Sequence, residues 1–290
     1  MAENKIQTAP DQSAGTKTAK PFVLTPENYY SDQANQLYLS NSLFKSIYGC
    51  PADPYPCEAK ALLGPKDGST EALLVGGYVD AAFESDQALK DYIKNHETEL
   101  KLKSGKGFYK FVTDADIAIA RARRDPVFMS YLDGQHQTVM TGIISGHAFK
   151  IKMDDYKPGE RITDLKYVKS SAEAYCEPLK RRVTFIEAYG YAIQGAIYQE
   201  VVAQNTGARL PFFIAYITKE DKPDFGVVEV PQQMLDEALE YVALSLTARP
   251  MAEVRKAPKA CRRRSCEWCR DQKSLSGPYA YDDFVLYSQT

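Results

Sequence analysis

The sequence lacks any long apolar run. No stretch of 18 or more apolar residues occurs in the 290-residue chain, which excludes a membrane-spanning helix. Residues 1–20 also lack the apolar segment of a secretory signal. Six cysteines without such a signal are typical of a reducing compartment, where they remain thiols or bind metals. We therefore expect a cytoplasmic protein without a membrane partner.

A strong charge of one sign is also missing. Lys and Arg number 36 against 38 Asp and Glu, so the formal net charge is −2. This balance excludes a basic field over the whole surface, and any nucleic-acid contact therefore requires a local basic patch. No internal repeat of solenoid length is present either. The remaining composition, 44% hydrophobic and 26% charged, is that of an ordinary globular protein.

The composition changes twice along the chain. Residues 1–25 are polar with almost no apolar pattern, which predicts a disordered tail. Residues 26–250 carry the alternating and helical apolar patterns of one globular domain. Residues 251–290 form a segment rich in Cys and Arg.

The stretch 149–166 contains the most informative pattern. Apolar residues alternate with lysines up to Asp154, Pro158-Gly159 predicts a turn, and a second strand carries Asp164 and Lys166. A tight hairpin places the two carboxylates side by side, with the ammonium about 7 Å further along the same face. Two carboxylates suit Mg²⁺ or Mn²⁺, and such a cation activates water for attack on a phosphate. The alternative is a charged hairpin whose polar face is merely solvated.

Two predicted helices carry further polar candidates. A helix over 70–95 contains Gly76-Gly77 and places Asp80 on one face. An apolar-aromatic helix over 172–204 places Tyr191, Gln194 and Tyr198 on one face, at positions i, i+3 and i+7. Solvated or plainly amphipathic helix faces are the alternatives.

Additional elements complete the prediction. Strands are expected over 135–144, 211–218 and 225–230, and helices over 113–124, 125–132 and 232–249. Ser40 and Ser42 are candidate N-caps for a helix that ends before Cys50-Pro51.

The C-terminal segment contains three cysteines within nine residues, Cys261, Cys266 and Cys269. This density is typical of metal ligands in a chain without a secretory signal. A fourth ligand is required, and Cys50 is the first candidate. A zinc site with Cys50 or Cys57 and a set of free thiols remain alternatives.

Two basic clusters are candidate contacts for a DNA backbone. One lies at the start of the predicted 172–204 helix, and the other lies between the C-terminal cysteines. Such contacts bind phosphates without selecting a base sequence. The residues concerned are Lys180, Arg181, Arg182, Arg262, Arg263 and Arg264.

The order of these motifs resembles the PD-(D/E)xK nuclease superfamily. Met153-Asp154 stands where that family often has Pro-Asp, and Asp164-Leu165-Lys166 stands for (D/E)xK. Gly76-x-x-x-Asp80 and Gln194-x-x-x-Tyr198 resemble motifs of RecE-like and RecB/AddB-like nucleases. The similarity extends from about Ser40 to Cys269. It implies an α/β fold with a central mixed sheet flanked by helices.

The resemblance also implies roles for these residues. Asp154 and Asp164 would hold Mg²⁺ or Mn²⁺ together with Asp80 and the backbone carbonyl of Leu165. Lys166 would position the attacking water. Gln194 and Tyr198 would hold the scissile phosphate.

RecE-like, exonuclease VIII-type enzymes of phages and prophages are the relatives that the motifs favour. They imply 5′-to-3′ digestion of double-stranded DNA ends, supply of single strands to a RecT-type annealing protein, and a homo-oligomeric ring in a bacterial host cell. An endonuclease, a CRISPR-adaptation-type nuclease, or a non-catalytic DNA-binding protein with a decayed core are the alternatives. AddB-type relatives further imply a [4Fe–4S] cluster on four cysteines, although C-x4-C-x2-C is not their usual spacing.

Overall fold

The computed structural model describes residues 22–51, 53–54, 56–65, 70–261, 266–275, 277–278 and 280–282. Seven strands occur in this part of the chain: β1 (Gln135–Ile144), β2 (His147–Lys157), β3 (Arg161–Val168), β4 (Ala174–Cys176), β5 (Arg181–Val183), β6 (Phe212–Thr218) and β7 (Phe225–Glu229).

Thirteen helices accompany them within the same described ranges. They are α1 (Asp32–Leu37), α2 (Asn41–Tyr48), α3 (Glu58–Leu63), α4 (Glu71–Glu84), α5 (Asp86–Asn95), α6 (Glu97–Leu100), α7 (Lys110–Ala122), α8 (Pro126–Ser130), α9 (Phe185–Ala188), α10 (Tyr191–Thr206), α11 (Gln232–Ala248), α12 (Met251–Lys256) and α13 (Glu267–Asp271). None of them combines the length and apolarity needed to cross a membrane.

The main sheet has five strands in the order β1-β2-β3-β6-β7. β3 and β6 are parallel, and the other neighbours are antiparallel. Helices cover both faces of this sheet, and alternate residues of β6 therefore point into two separate cores. Phe212 and Ile214 pack with α10 and α11, while Ala215 and Ile217 pack with α4 and α7. The predicted mixed sheet flanked by helices is confirmed.

The 158–160 turn joins β2 to β3 as predicted, with Gly159 at φ +75°. β2, however, does not end on Asp154 and continues to Lys157. The reason is the register, since Asp155 pairs with Thr163 and Lys157 with Arg161. The pairing thus reaches the turn itself.

The predicted helix over 172–204 is wrong in its first half. Residues 174–183 form a small antiparallel hairpin of β4 and β5, and Lys180 in its turn has a positive φ of 54°. The helix α10 begins only at Tyr191, after Gly190 in the left-handed region. The predicted 70–95 helix is likewise divided at Ser85, whose extended backbone ends α4 and whose Oγ caps α5.

The predicted domain bounds at residues 26 and 250 stay a prediction, and packed residues occur on both sides of them. Residues 1–21 lie outside the described residues, but Phe22 and Leu24 already pack against Tyr29 and Ala34. At the other end, Met251 and Val254 of α12 are buried in the main core.

Candidate active site and a four-cysteine centre

The site forms where the pairing of β2 and β3 stops. Asp155–Thr163 is the last ladder pair, which leaves Asp154 and Asp164 opposite each other at the next position. Oδ2 of Asp154 instead accepts the backbone N–H of Leu165 at 3.0 Å. The carboxylate therefore holds the two strands together at the point where their own hydrogen bonds end.

Asp164 lies at the centre of the cluster and is only 1% exposed. The side-chain amide of Gln194, on α10, donates to its Oδ1. Nζ of Lys166 lies 2.5 Å from Oδ2 and forms an ion pair with it. A carboxylate oxygen has two lone pairs, so Oδ2 can also bind a metal cation.

The three predicted metal carboxylates influence one another. Burial raises the pKa of Asp154 well above its ordinary value, and the negative charges of Asp164 and Asp80 raise it further. For Asp80 on α4, burial and the charge of Asp164 outweigh the attraction of Lys166 and raise its pKa to about 7. The charge of Asp164 thus makes ionisation of both Asp154 and Asp80 harder.

Lys166 supplies the compensating charge. Burial disfavours its ammonium form, but Asp164 and Asp154 outweigh burial and raise its pKa above the ordinary value. The side chain is therefore a cation at neutral pH. It also lies 5.2 Å from the centre of the Tyr191 ring, within the range of a cation–π contact.

These residues fit a divalent cation. Three interacting carboxylates share one ammonium, that of Lys166, in a largely buried place. A hard cation with oxygen ligands would neutralise this excess of negative charge. Asp154 and Asp164 are the residues that would hold it, and Asp80 completes the acidic set. A contribution of the Leu165 carbonyl stays a prediction.

Gln194 and Tyr198 are placed on one side of α10 as predicted, but they contact protein groups. Gln194 binds Asp164, and the Tyr198 hydroxyl donates to the Lys152 carbonyl at 3.0 Å. Both side chains are 7% exposed. Their polar atoms thus position β3 and β2 in this structure, and the predicted phosphate contact stays a prediction.

Sequence reasoning missed Lys45 next to the site and gave Tyr191, which it placed on the face of Gln194, no role. The Nζ atoms of Lys166 and Lys45 lie 5.2 and 5.6 Å from the centre of the Tyr191 ring. Lys45, on α2, also donates to the Tyr189 carbonyl at 3.0 Å. Burial lowers the pKa of Lys45. A signal existed for Tyr191, since it shares a helix face with Gln194, whereas nothing local indicated Lys45.

The raised pKa of Asp80 predicts a pH-dependent stability in EDTA, where no cation compensates the charge. An aspartate whose pKa is higher in the folded protein than in the unfolded chain stabilises the fold at low pH. This contribution is fully present below the unfolded pKa and is lost as the pH rises through the folded pKa of about 7. Asp80→Asn should therefore leave the melting temperature nearly unchanged at pH 4 and raise it by several degrees at pH 8. Thermal melts of both proteins across that range test this, and a gain equal at both pH values would contradict it.

The cysteine prediction requires one correction. The four cysteines at metal-binding spacing are Cys57, Cys261, Cys266 and Cys269, with all four sulfur atoms within 4.8 Å of one another. Cys50 is not among them. It follows the end of α2, where it pairs with Asp53 in an isolated bridge, whereas Cys57 lies at the start of α3, next to the C-terminal segment.

The predicted basic contacts differ in how they are placed. Lys180 and Arg181 lie on the β4–β5 hairpin and form ion pairs with Glu177 and Glu187. Arg182 donates to the Glu173 carbonyl. Contact of these exposed side chains with DNA stays a prediction. The second cluster, Arg262, Arg263 and Arg264, lies outside the described residues.

Comparison with known proteins agrees with this geometry. The family described as "PDDEXK-like domain of unknown function (DUF3799)" matches residues 40–272. The structure of a "Putative exonuclease" from Eubacterium rectale is similar, with 38% sequence identity, a TM-score of 0.82, and coverage of 91% of this chain and 98% of that chain.

A further structure, SSO0001, matches 66% of this chain and 83% of its own with 13% identity. Its TM-score of 0.24 is too low to indicate a shared fold. Among the curated proteins, none matches this chain. The family match covers most of the chain and includes every residue of the acidic cluster. The chain therefore belongs to the PDDEXK-like family DUF3799, within the PD-(D/E)xK nuclease superfamily.

Proposed function

We propose that the protein hydrolyses phosphodiester bonds in DNA with the help of Mg²⁺ or Mn²⁺. The observation that carries this proposal is the cluster of Asp154, Asp164 and Lys166 at the point where the β2–β3 ladder ends. When bound, a divalent cation would lower the pKa of a water molecule and stabilise negative charge on a phosphate.

The residues of the chain perform the remaining tasks. Lys166 is charged at neutral pH and can both orient a water molecule and stabilise negative charge that develops on a phosphate. Gln194 fixes the orientation of Asp164 through Oδ1, which leaves Oδ2 beside the Lys166 ammonium. Tyr198 holds β2 in place through the Lys152 carbonyl.

The finer proposal is an exonuclease that digests double-stranded ends from 5′ to 3′. It is supported by the similarity to a structure described as an exonuclease and by the RecE-like order of the motifs. In this proposal the single strands serve a RecT-type annealing protein in recombination. A homo-oligomeric ring around the duplex and a phage or prophage origin belong to the same proposal.

Linear and covalently closed circular duplexes test the mode of attack. With Mg²⁺ present, we expect end-labelled linear duplex to be degraded from its ends while the closed circle stays intact, because an exonuclease requires a terminus. A label at the 5′ end should be released first if digestion begins there. Linearisation or nicking of the circle would instead identify an endonuclease, and binding without cleavage of either substrate would identify a non-catalytic protein.

A further inference from the structure

The cysteine centre has the dimensions of a single-metal site. Sγ of Cys57 lies 3.5 Å from Sγ of Cys269, and Sγ of Cys261 lies 3.7 Å from Sγ of Cys269. All four sulfur atoms lie within 4.8 Å of one another. A disulfide would require about 2.05 Å, so these are separate thiols gathered around one point.

Sulfur spacing distinguishes the metal groups that four cysteines can hold. Zn–S bonds of about 2.3 Å in a tetrahedron place the sulfur atoms about 3.8 Å apart. A [4Fe–4S] cluster takes its four cysteines on four different iron atoms, so it holds their sulfur atoms further apart than one metal ion does. We propose that Cys57, Cys261, Cys266 and Cys269 bind one zinc ion, in place of the iron–sulfur cluster implied by the AddB resemblance.

Backbone donors around the sulfur atoms support thiolate ligands. The N–H groups of Lys60 and Cys261 both point to Sγ of Cys57, at 3.3 and 3.2 Å. The N–H group of Cys269 points to Sγ of Cys266 at 3.4 Å. Donated hydrogen bonds stabilise the negative charge that a thiolate retains when it binds a metal.

The zinc ion would connect two distant parts of the chain. Cys57 and Cys269 are 212 residues apart in sequence, and all five strands of the main sheet come between them along the chain. The same contact region contains a two-pronged ion pair between Glu58 and Arg249, at 2.6 and 2.7 Å. It also contains a backbone hydrogen bond from Ala59 to Lys259 at 2.9 Å.

Four protein ligands leave no open position for a substrate on zinc, so its role is structural. The ion would hold the C-terminal segment, which contains Cys261, Cys266 and Cys269, against the start of α3. A metal that binds only the folded chain adds its binding free energy to folding, so its loss lowers stability. This role is independent of the proposed nuclease activity.

Metal analysis of the full-length protein tests the proposal. We expect about one zinc per chain, no iron, no acid-labile sulfide and a colourless solution, even after anaerobic purification. X-ray absorption at the zinc edge should show sulfur neighbours at about 2.3 Å. Replacement of the metal by Co²⁺ should give the intense visible absorption of tetrahedral cobalt thiolate.

Two matched variants locate the site. Cys57→Ser should reduce the zinc content well below one per chain and lower the melting temperature, whereas Cys50→Ser should retain the full zinc content. If Cys57→Ser fails to fold, titration of the wild-type protein with a thiol-specific mercurial replaces it. Zinc released as the thiols react supports cysteine ligands, and zinc retained after all six cysteines have reacted contradicts them. Stoichiometric iron and sulfide, a metal-free protein, or loss of zinc in Cys50→Ser would each overturn the proposal.

Discussion

Loss of the Lys166 ammonium should reduce cleavage of linear duplex by about 10²–10³-fold, the cost of removing one preorganised charge from a transition state. Asp164→Ala should reduce it to background, because that carboxylate contacts both Lys166 and Gln194. Rates measured at saturating Mg²⁺ test both variants. Lys169→Ala, which alters an exposed lysine on the same segment, should retain full activity.

A structural explanation for such a loss can be separated from a catalytic one. Lys166→Ala leaves Asp164 buried without its cation, and this alone should destabilise the fold. The double variant Asp164→Asn, Lys166→Met removes both charges together, so it should recover the melting temperature of the wild-type protein. Its activity should stay at background. Near wild-type activity in the double variant would show that the pair takes no part in the chemistry.

Removal of divalent cations should abolish cleavage altogether, because no metal ion then lowers the pKa of a water molecule or stabilises negative charge on the phosphate. Mg²⁺ or Mn²⁺ added back in excess of EDTA should restore the rate, since both are hard cations that carboxylates bind. End-labelled duplex digestion across a range of free Mg²⁺ concentrations measures this dependence.

Asp154→Asn provides the matched variant for the cation requirement. It keeps the size of the side chain and an oxygen that can accept the Leu165 N–H, but it removes one negative charge. We therefore expect a higher Mg²⁺ concentration for half-maximal rate. Cleavage that continues unchanged in EDTA, or an unchanged Mg²⁺ requirement in Asp154→Asn, would contradict a metal role for this cluster.

The strands of the main sheet were predictable from the sequence, because alternation of apolar and polar residues is a local signal. The same signal placed Asp154 opposite Asp164 through the Pro158-Gly159 turn, and the register confirms this. The parallel pairing of β3 with β6 gives no such signal. It depends on contacts between segments about 50 residues apart, and the sequence pattern was compatible with several strand orders.

The two wrong predictions, a helix over 174–183 and Cys50 as a ligand, also have physical causes. An aromatic and basic stretch over 174–183 satisfies a helical pattern as well as a short hairpin, and only the positive φ at Lys180 and Gly190 decides between them. The sequence favoured Cys50 over Cys57 as the fourth ligand. The structure instead places Cys57 next to the backbone of Cys261.

The parallel pairing of β3 with β6 also affects when a newly made chain can assemble the proposed active site. While the ribosome extends the polypeptide, the β1–β2–β3 meander can form early from neighbouring residues. The outer side of the strand that carries Asp164 remains uncovered until residues 212–218 emerge. A nascent product that stops before this point contains Asp154, Asp164 and Lys166 but lacks the support that aligns them. We therefore expect such fragments to be inert toward the DNA of the cell that synthesises them.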